Sequence, residues 1–292
     1  MSNMERLKNS RPISFVIITI VYILSAVVGI AIYLVLPYPW WLSLLLADVA
    51  STIFVFLFSL IFENASVYDP YWSVQPPVIL TCYAVGRGVT PYGILLLVVV
   101  WFWGIRLTAN WAYTFHGLKH QDWRYTMLHH TTKAFYPLIN LVGIHLVPTL
   151  VVWGCILPAV YAIEMGVASL NIWAVLALCL SLLAVVLQGV ADMEMHRYRK
   201  CRTTPFIRVG LWRYSRHPNY LGEILMWWGV ALSLLAVAQE MWYLAAGAFA
   251  NTLLFAFVSI PMADKRQGRK EGYATYYAET RTLLPIPKFH KK

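Results

Sequence analysis

Charge is scarce in this sequence: only 12% of its 292 residues are Asp, Glu, Lys or Arg, and only 13 of these are acidic. A soluble domain carries about twice that share, so a water-facing surface of ordinary composition is excluded. Cysteine numbers four and glycine 16, too few for a disulfide scaffold or a collagen-like chain. No G-x-G-x-x-G links a strand to a helix, which removes the usual dinucleotide fold. No Cys pair has metal-ligand spacing, and no zinc finger or aromatic RNA-binding motif is present, so neither a metal site nor a nucleic-acid partner is expected. Internal repeats, low-complexity tracts and linkers are also absent, so residues 1–292 read as a single domain.

What remains is apolar. Hydrophobic types make up 60% of the chain, and runs close to the roughly 20 residues of a bilayer crossing lie near 13–36, 41–62, 91–113, 138–163, 169–191, 219–238 and 241–261. An eighth candidate covers 64–86, with Asp69, Pro70, Pro76 and Pro77 interrupting its first half. Of the 23 Lys and Arg, 21 fall before residue 13 (Arg6, Lys8, Arg11) or within 114–137, 192–218 and 262–292. The positive-inside bias makes these segments cytoplasmic. Eight crossings put all four on one side, whereas seven would strand the N-terminus outside. The expectation is an all-α integral membrane bundle of about eight helices, both termini cytoplasmic, in a bacterial inner membrane or the endoplasmic reticulum. The net charge of +10 is then largely the cytoplasmic collar of such a bundle, in contact with lipid headgroups.

Polar residues gather at that cytoplasmic side. If the 169–191 helix continues outward, Gln188, Asp192 and Arg199 share one face, an amide, a carboxylate and a guanidinium suited to hydroxyls and phosphates. A snorkelling helix end is the plainer alternative. In Arg213-Tyr-Ser-Arg216-His217-Pro218-Asn219-Tyr220-Leu-Gly-Glu223, Pro218 marks a helix start. Asn219 and Glu223 then fall on one face, with Arg213 and His217 near a helix N-terminus that favours an anion. Glu223 in so apolar a helix needs a partner or a polar cavity. Arg106, beside Trp101 and Trp103, needs an anionic partner, with Asp69, Asp192 or a ligand as candidates. Asp69 and Tyr71 interrupt a span, and Arg266 and Lys270 follow the last one. Asp48 is buried by the same reasoning but isolated. The loop from His116 to Tyr125, with His129 and His130, reads as polar surface.

The segment 188–223 resembles the C-terminal domain of the steroid 5-alpha-reductase superfamily, and more narrowly that superfamily's largely uncharacterised domain-of-unknown-function branch. The residues that carry the likeness are Asp192 with Arg199 seven later, Arg-His-Pro-Asn-Tyr-Leu-Gly-Glu at 216–223, and Lys270-Glu-Gly-Tyr273 through Arg281 to Pro285. Trp-Gly-Ile-Arg106-Leu fits the same pattern. The likeness covers roughly 64–287 and leaves two N-terminal helices, in 1–63, outside it. It implies a helical bundle holding NADPH in a pocket open to the cytoplasm. Arg106, Gln188, Asp192, Arg199, Arg213, His217, Asn219, Tyr220, Glu223, Arg266 and Lys270 would be on or near the cofactor. It further implies reduction of a carbon–carbon double bond conjugated to a ketone in a steroid-like or other lipid-soluble substrate, without an obligate protein partner. Asp69 stands roughly where the family has a catalytic Glu and Trp103 where it has a catalytic Tyr, with Tyr71 or Tyr113 as a substitute hydroxyl. An indole N–H donates a hydrogen bond but is a poor acid. An S-adenosylmethionine-dependent lipid or isoprenylcysteine-type methyltransferase shares the 216–222 pattern and is the alternative, together with a catalytically degenerate lipid-binding relative.

Overall fold

The protein is described by a computed structural model over residues 8–288; Arg6, Lys291 and Lys292 of the basic segments lie outside the described residues. Helices dominate it, and among the described residues the only strand-like pairing is a parallel bridge between Ser215 and Arg281. Six helical stretches are long and apolar enough to cross a membrane: Arg11–Val35, Trp40–Ile61, Pro91–Thr114, Trp123–Glu164, Ile172–Lys200 and Gln239–Gln267. Their outer faces expose Ile23, Leu34, Leu183 and Phe257, a surface suited to lipid rather than water.

Helices α1 (Arg11–Val35) and α2 (Trp40–Ile61) form a hairpin. A 3₁₀ turn at Ala65–Tyr68, capped by Asn64, leads into α3 (Tyr71–Arg87). The expected interruption of the 64–86 run falls at this turn, not at the prolines: Pro76 and Pro77 lie inside continuous helix. Pro77 has no N–H to give the Ser73 carbonyl. The freed turn packs directly against α4 (Pro91–Thr114), where a Cβ on Gly104 would stand 2.6 Å from both Ser73 O and Pro77 Cγ. The Ser73 hydroxyl reaches Thr108 at 2.9 Å across the same contact.

The segment expected to be a polar loop with histidines is partly helical. Asp122 caps α5 (Trp123–Thr132) by accepting from the Arg124 N–H. Two short turns and a π-helical stretch at Asn140–Leu146 join α5 to α6 (Val147–Glu164). Asn171 caps α7, which runs unbroken from Ile172 to Lys200, as the spacing of Gln188, Asp192 and Arg199 requires. Helix α8 is Pro218–Leu235, with proline in its first turn. After a 3₁₀ stretch come α9 (Ala246–Leu254), a π-helical segment, α10 (Ile260–Gln267) and α11 (Tyr273–Glu279).

The main core lies among α4, α6, α7 and α8 around Trp103, Leu96, Ile156, Val185, Trp227 and Leu234. A second core, holding Ile18, Val55, Tyr68 and Tyr71, joins α1 and α2 to the 3₁₀ turn and the start of α3. Helices α3, with 17 residues, and α8, with 18, fall outside the six apolar stretches; α8 carries Asn219 and Glu223.

Candidate functional site

The site begins with close packing of α7 on α8. A Cβ on Gly222 would stand 2.4 Å from Gln188 Cγ and 2.6 Å from the Ala184 carbonyl, closer than real atoms approach. Glycine here lets the two backbones meet, as small residues do in membrane bundles. That approach sets Glu223, the next residue, against Gln188.

Glu223 is 5% exposed and fully engaged. Its Oε2 accepts from the Trp103 indole and from the Gln188 amide, each at 2.9 Å, and its Oε1 accepts from the Trp227 indole at 2.9 Å. Gln188 turns its carbonyl to Arg106, whose other terminal nitrogen meets Asp192 at 2.7 Å. Asn219 reaches the second Asp192 oxygen at 3.5 Å. Donors and acceptors therefore alternate from Trp227 through Glu223, Gln188, Arg106 and Asp192 to Asn219. A buried charge in a lipid-embedded bundle survives only when paired in this way. Of the partners the sequence left open for Arg106, the structure takes Asp192. The Arg106 Nε alone is buried without a partner.

Past Asp192 the relay gives way to cations. Arg199 is exposed on the next turns of α7. Burial pushes the Lys270 ammonium below its ordinary value, and the fields of Arg202, Arg266 and Arg199 push it further. The Arg266 guanidinium lies 4.1 Å over the Trp123 ring. Among the described residues, none of Arg199, Arg202, Arg266 and Lys270 has a carboxylate ion-pair partner. The charges of Arg199, Arg202 and Arg266 all act on Lys270, and Asp122 acts on Arg266.

Asp69 closes the 3₁₀ turn and accepts from the Tyr125 hydroxyl at 2.7 Å, beside the Arg124–Asp122 pair at 2.8 Å. Tyr220 packs its ring against Phe255 at 4.9 Å. The three residues expected to be catalytic do not form one cluster. Trp103 gives its N–H to Glu223, Asp69 faces Tyr125, and Tyr71 turns its hydroxyl into a cavity between α1, α2 and α3. Among the described residues no hydrogen bond joins the three. Nor does any group of three His, Cys, Asp and Glu side chains assemble there to hold a metal ion.

A family sequence profile described as "Protein of unknown function (DUF1295)" matches residues 55–280, more than three quarters of the chain. The chain belongs to the DUF1295 family. The DUF1295 region contains every residue of the relay and of the cation cluster, whereas α1 and Asp48 precede it. The chain is also 26% identical, over 193 residues, to an uncharacterised protein of Schizosaccharomyces pombe; the alignment covers 56% of each, so it spans about half the length of that relative. No solved structure matches significantly.

Within the DUF1295 region the Arg-His-Pro segment divides into two roles. Arg216 and His217 are held by the tail and by Asp264. The Arg216 guanidinium donates to the carbonyls of Thr280 (2.6 Å) and Tyr277 (3.1 Å), lies 3.9 Å over the Tyr277 ring, and shares Asp264 with His217 Nε2 at 3.0 Å. Backbone N–H groups of Arg216 and His217 donate to Arg281 and Thr282. The tail thus staples the start of α8, and Tyr220 stacks on His217 at 5.1 Å. Arg213 lies exposed over Tyr214. Asn219 and Glu223 are the members of the segment that belong to the relay. Trp227, Tyr125 and Asp264 were not singled out in the sequence. Trp227 carried a readable signal, since it follows Glu223 by four residues and shares its face.

Proposed function

We propose that this DUF1295 protein is a membrane-bound NADPH-dependent reductase of a carbon–carbon double bond conjugated to a ketone, acting on a lipid-soluble, steroid-like substrate. The observation that carries the reading is the group of Arg199, Arg202, Arg266 and Lys270, none of them ion-paired among the described residues, beyond the Asp192 end of the relay. The residues present suit the cofactor: four cations for phosphates, Asp192 and Asn219 for hydroxyls or an amide, and Arg106 Nε as an unused donor. The likeness of 188–223 to the steroid 5-alpha-reductase superfamily supports the same assignment. NADPH, when bound, supplies a hydride equivalent.

The chain supplies the rest. Glu223, held by two indoles and an amide, fixes Gln188 and through it the Arg106 guanidinium, so binding groups stand ready before the ligand arrives. Trp103 is here a positioning residue. Asp69, with Tyr125 donating to one carboxyl oxygen, carries a proton on the other and gives it to the ketone oxygen of the substrate. The core aromatics Trp72, Trp103 and Trp227 exclude water from between them. The topology that goes with this reading has eight crossings, α3 and α8 among them, with the cation cluster and both termini cytoplasmic. Membrane lipid is the only other partner it requires.

Thermal unfolding of the detergent-purified protein, with NADPH and with S-adenosylmethionine, tests the reading. A ligand bound only by the folded state raises the midpoint. A rise with NADPH alone is expected. A rise with S-adenosylmethionine alone would move the protein to the methyltransferases, and no rise with either would leave a lipid-binding relative without chemistry. In the second arm Asp69→Asn keeps the NADPH shift but no longer reduces a 3-oxo-4-ene steroid; full turnover in that variant would remove Asp69 from the mechanism.

A further inference from the structure

A cavity of about 400 Å³ lies between α1, α2 and α3, within the size range of small-molecule sites. Most of its wall is apolar, from Ala26, Ile30, Leu44, Val78 and Ile79. Ile30, Leu34 and Cys82 are exposed along its rim, so it opens sideways toward lipid. One part of the wall is polar and unsatisfied. Asp48 is 3% exposed, and neither of its carboxyl oxygens has a hydrogen-bond partner. The hydroxyl of Tyr71 and the amide nitrogen of Gln75, which line the same cavity, are equally buried and unpartnered. The nearby serines are not in this condition, because Ser25 and Ser51 donate to each other's carbonyls at 3.1 and 3.0 Å.

A buried acid and two buried donors without hydrogen-bond partners are costly at lipid depth unless something completes them. We propose that this cavity binds a lipid alcohol, with its hydroxyl donating to Asp48 and accepting from Tyr71 or Gln75. The chemistry selects the alcohol. An alcohol hydroxyl both donates and accepts and so serves all three groups, whereas a ketone only accepts and pairs with Asp48 only through a proton on that carboxyl, and an ammonium group turns two N–H or O–H donors toward a cation. The Arg87–Glu164 pair, bidentate at 2.8 and 2.9 Å, stands beside the cavity with Arg87 in its wall, already neutralised and so no competitor for Asp48. Asp48 precedes the DUF1295 match and α3 lies within it, so the site joins the family's bundle to the helices that extend it. The proposal does not depend on the reductase reading.

The probe is a long-chain fatty alcohol carrying a diazirine and an alkyne, photolysed with the purified full chain and located by peptide mass spectrometry. Labelling of α1 or α3 is expected, competed by the unlabelled alcohol but not by its methyl ether, which cannot donate. Asp48→Asn, close to isosteric, lowers the labelling about tenfold, the weight of one buried hydrogen bond to a charged group. Ile30→Trp fills the mouth while leaving the polar trio intact, and it also abolishes labelling, which covers the case in which Asp48→Asn fails to fold. Equal competition by the ether, or labelling unchanged in Ile30→Trp, would overturn the site. The NADPH midpoint shift, measured on the same samples, separates failure here from failure of the reductase reading.

Discussion

Two polar clusters lie inside this bundle, and they are built in opposite ways. Between α4, α7 and α8 every buried carboxylate and amide meets a partner, and seven residues form one network of six hydrogen bonds. Between α1, α2 and α3 three buried polar groups line an open cavity and meet nothing. A completed network is a framework, rigid and expensive to cut. An incomplete one has its missing members elsewhere, in a ligand. The contrast assigns the first cluster to holding the bundle, and the second is the one we propose for recognition.

The sharpest break in that contrast is at Glu223. Removing its carboxylate strands two indole N–H groups and the Gln188 amide at once, so Glu223→Ala costs roughly 3–5 kcal/mol, the range for breaking a buried charge network, read as a large fall in the detergent unfolding midpoint. Asp48→Asn on the other side removes no hydrogen bond and leaves the midpoint nearly where it was. If the two substitutions cost the same, the distinction between framework and recognition fails. Next in size is Gly222→Ala. Its new methyl meets the Ala184 backbone and Gln188, so α7 and α8 part, at about 1–3 kcal/mol for overpacking. The loss is visible in the same unfolding experiment, and Gly86→Ala, whose Cβ meets nothing within 4 Å, serves as its control.

Much of the framework was legible in the sequence because its signals are local. Pro218 announced the start of α8, and the four-residue steps placed Gln188 with Asp192 and Asn219 with Glu223 on shared faces. A span with Arg106 in it demanded an acid, and Asp192 was among those named. What stayed hidden depends on distant chain segments. Trp103 and Glu223 are 120 positions apart, and the carbonyls that claim Arg216 arrive from a tail more than 60 residues later. The hydrogen bond between His217 and Asp264 likewise spans 47 positions. Asp48 looked solitary because Tyr71 and Gln75 come to it from another helix, and a cavity has no linear signature. The Trp at 103, where the resembled family has a Tyr, has its place explained by Glu223 as acceptor.

The smallest expected effect concerns the cation cluster, and it tests whether that cluster belongs to recognition rather than to framework. Arg199→Ala removes no partner, so the midpoint of the unliganded protein should hold while NADPH binding weakens by about tenfold, the strength of a charge-assisted contact. Lys270 gives the finer reading. In the free protein burial and the neighbouring Arg202, Arg266 and Arg199 lower its affinity for a proton. A bound phosphate restores it toward the ordinary value near 10.4. Binding therefore takes up protons in the interval between the depressed free-state pKa and the restored one. Affinity is complete below that interval and declines as pH rises through it. Calorimetry in buffers of different ionisation enthalpy measures the uptake directly. Lys270→Met should abolish it and flatten the alkaline decline, whereas an unchanged uptake would place the phosphate away from Lys270.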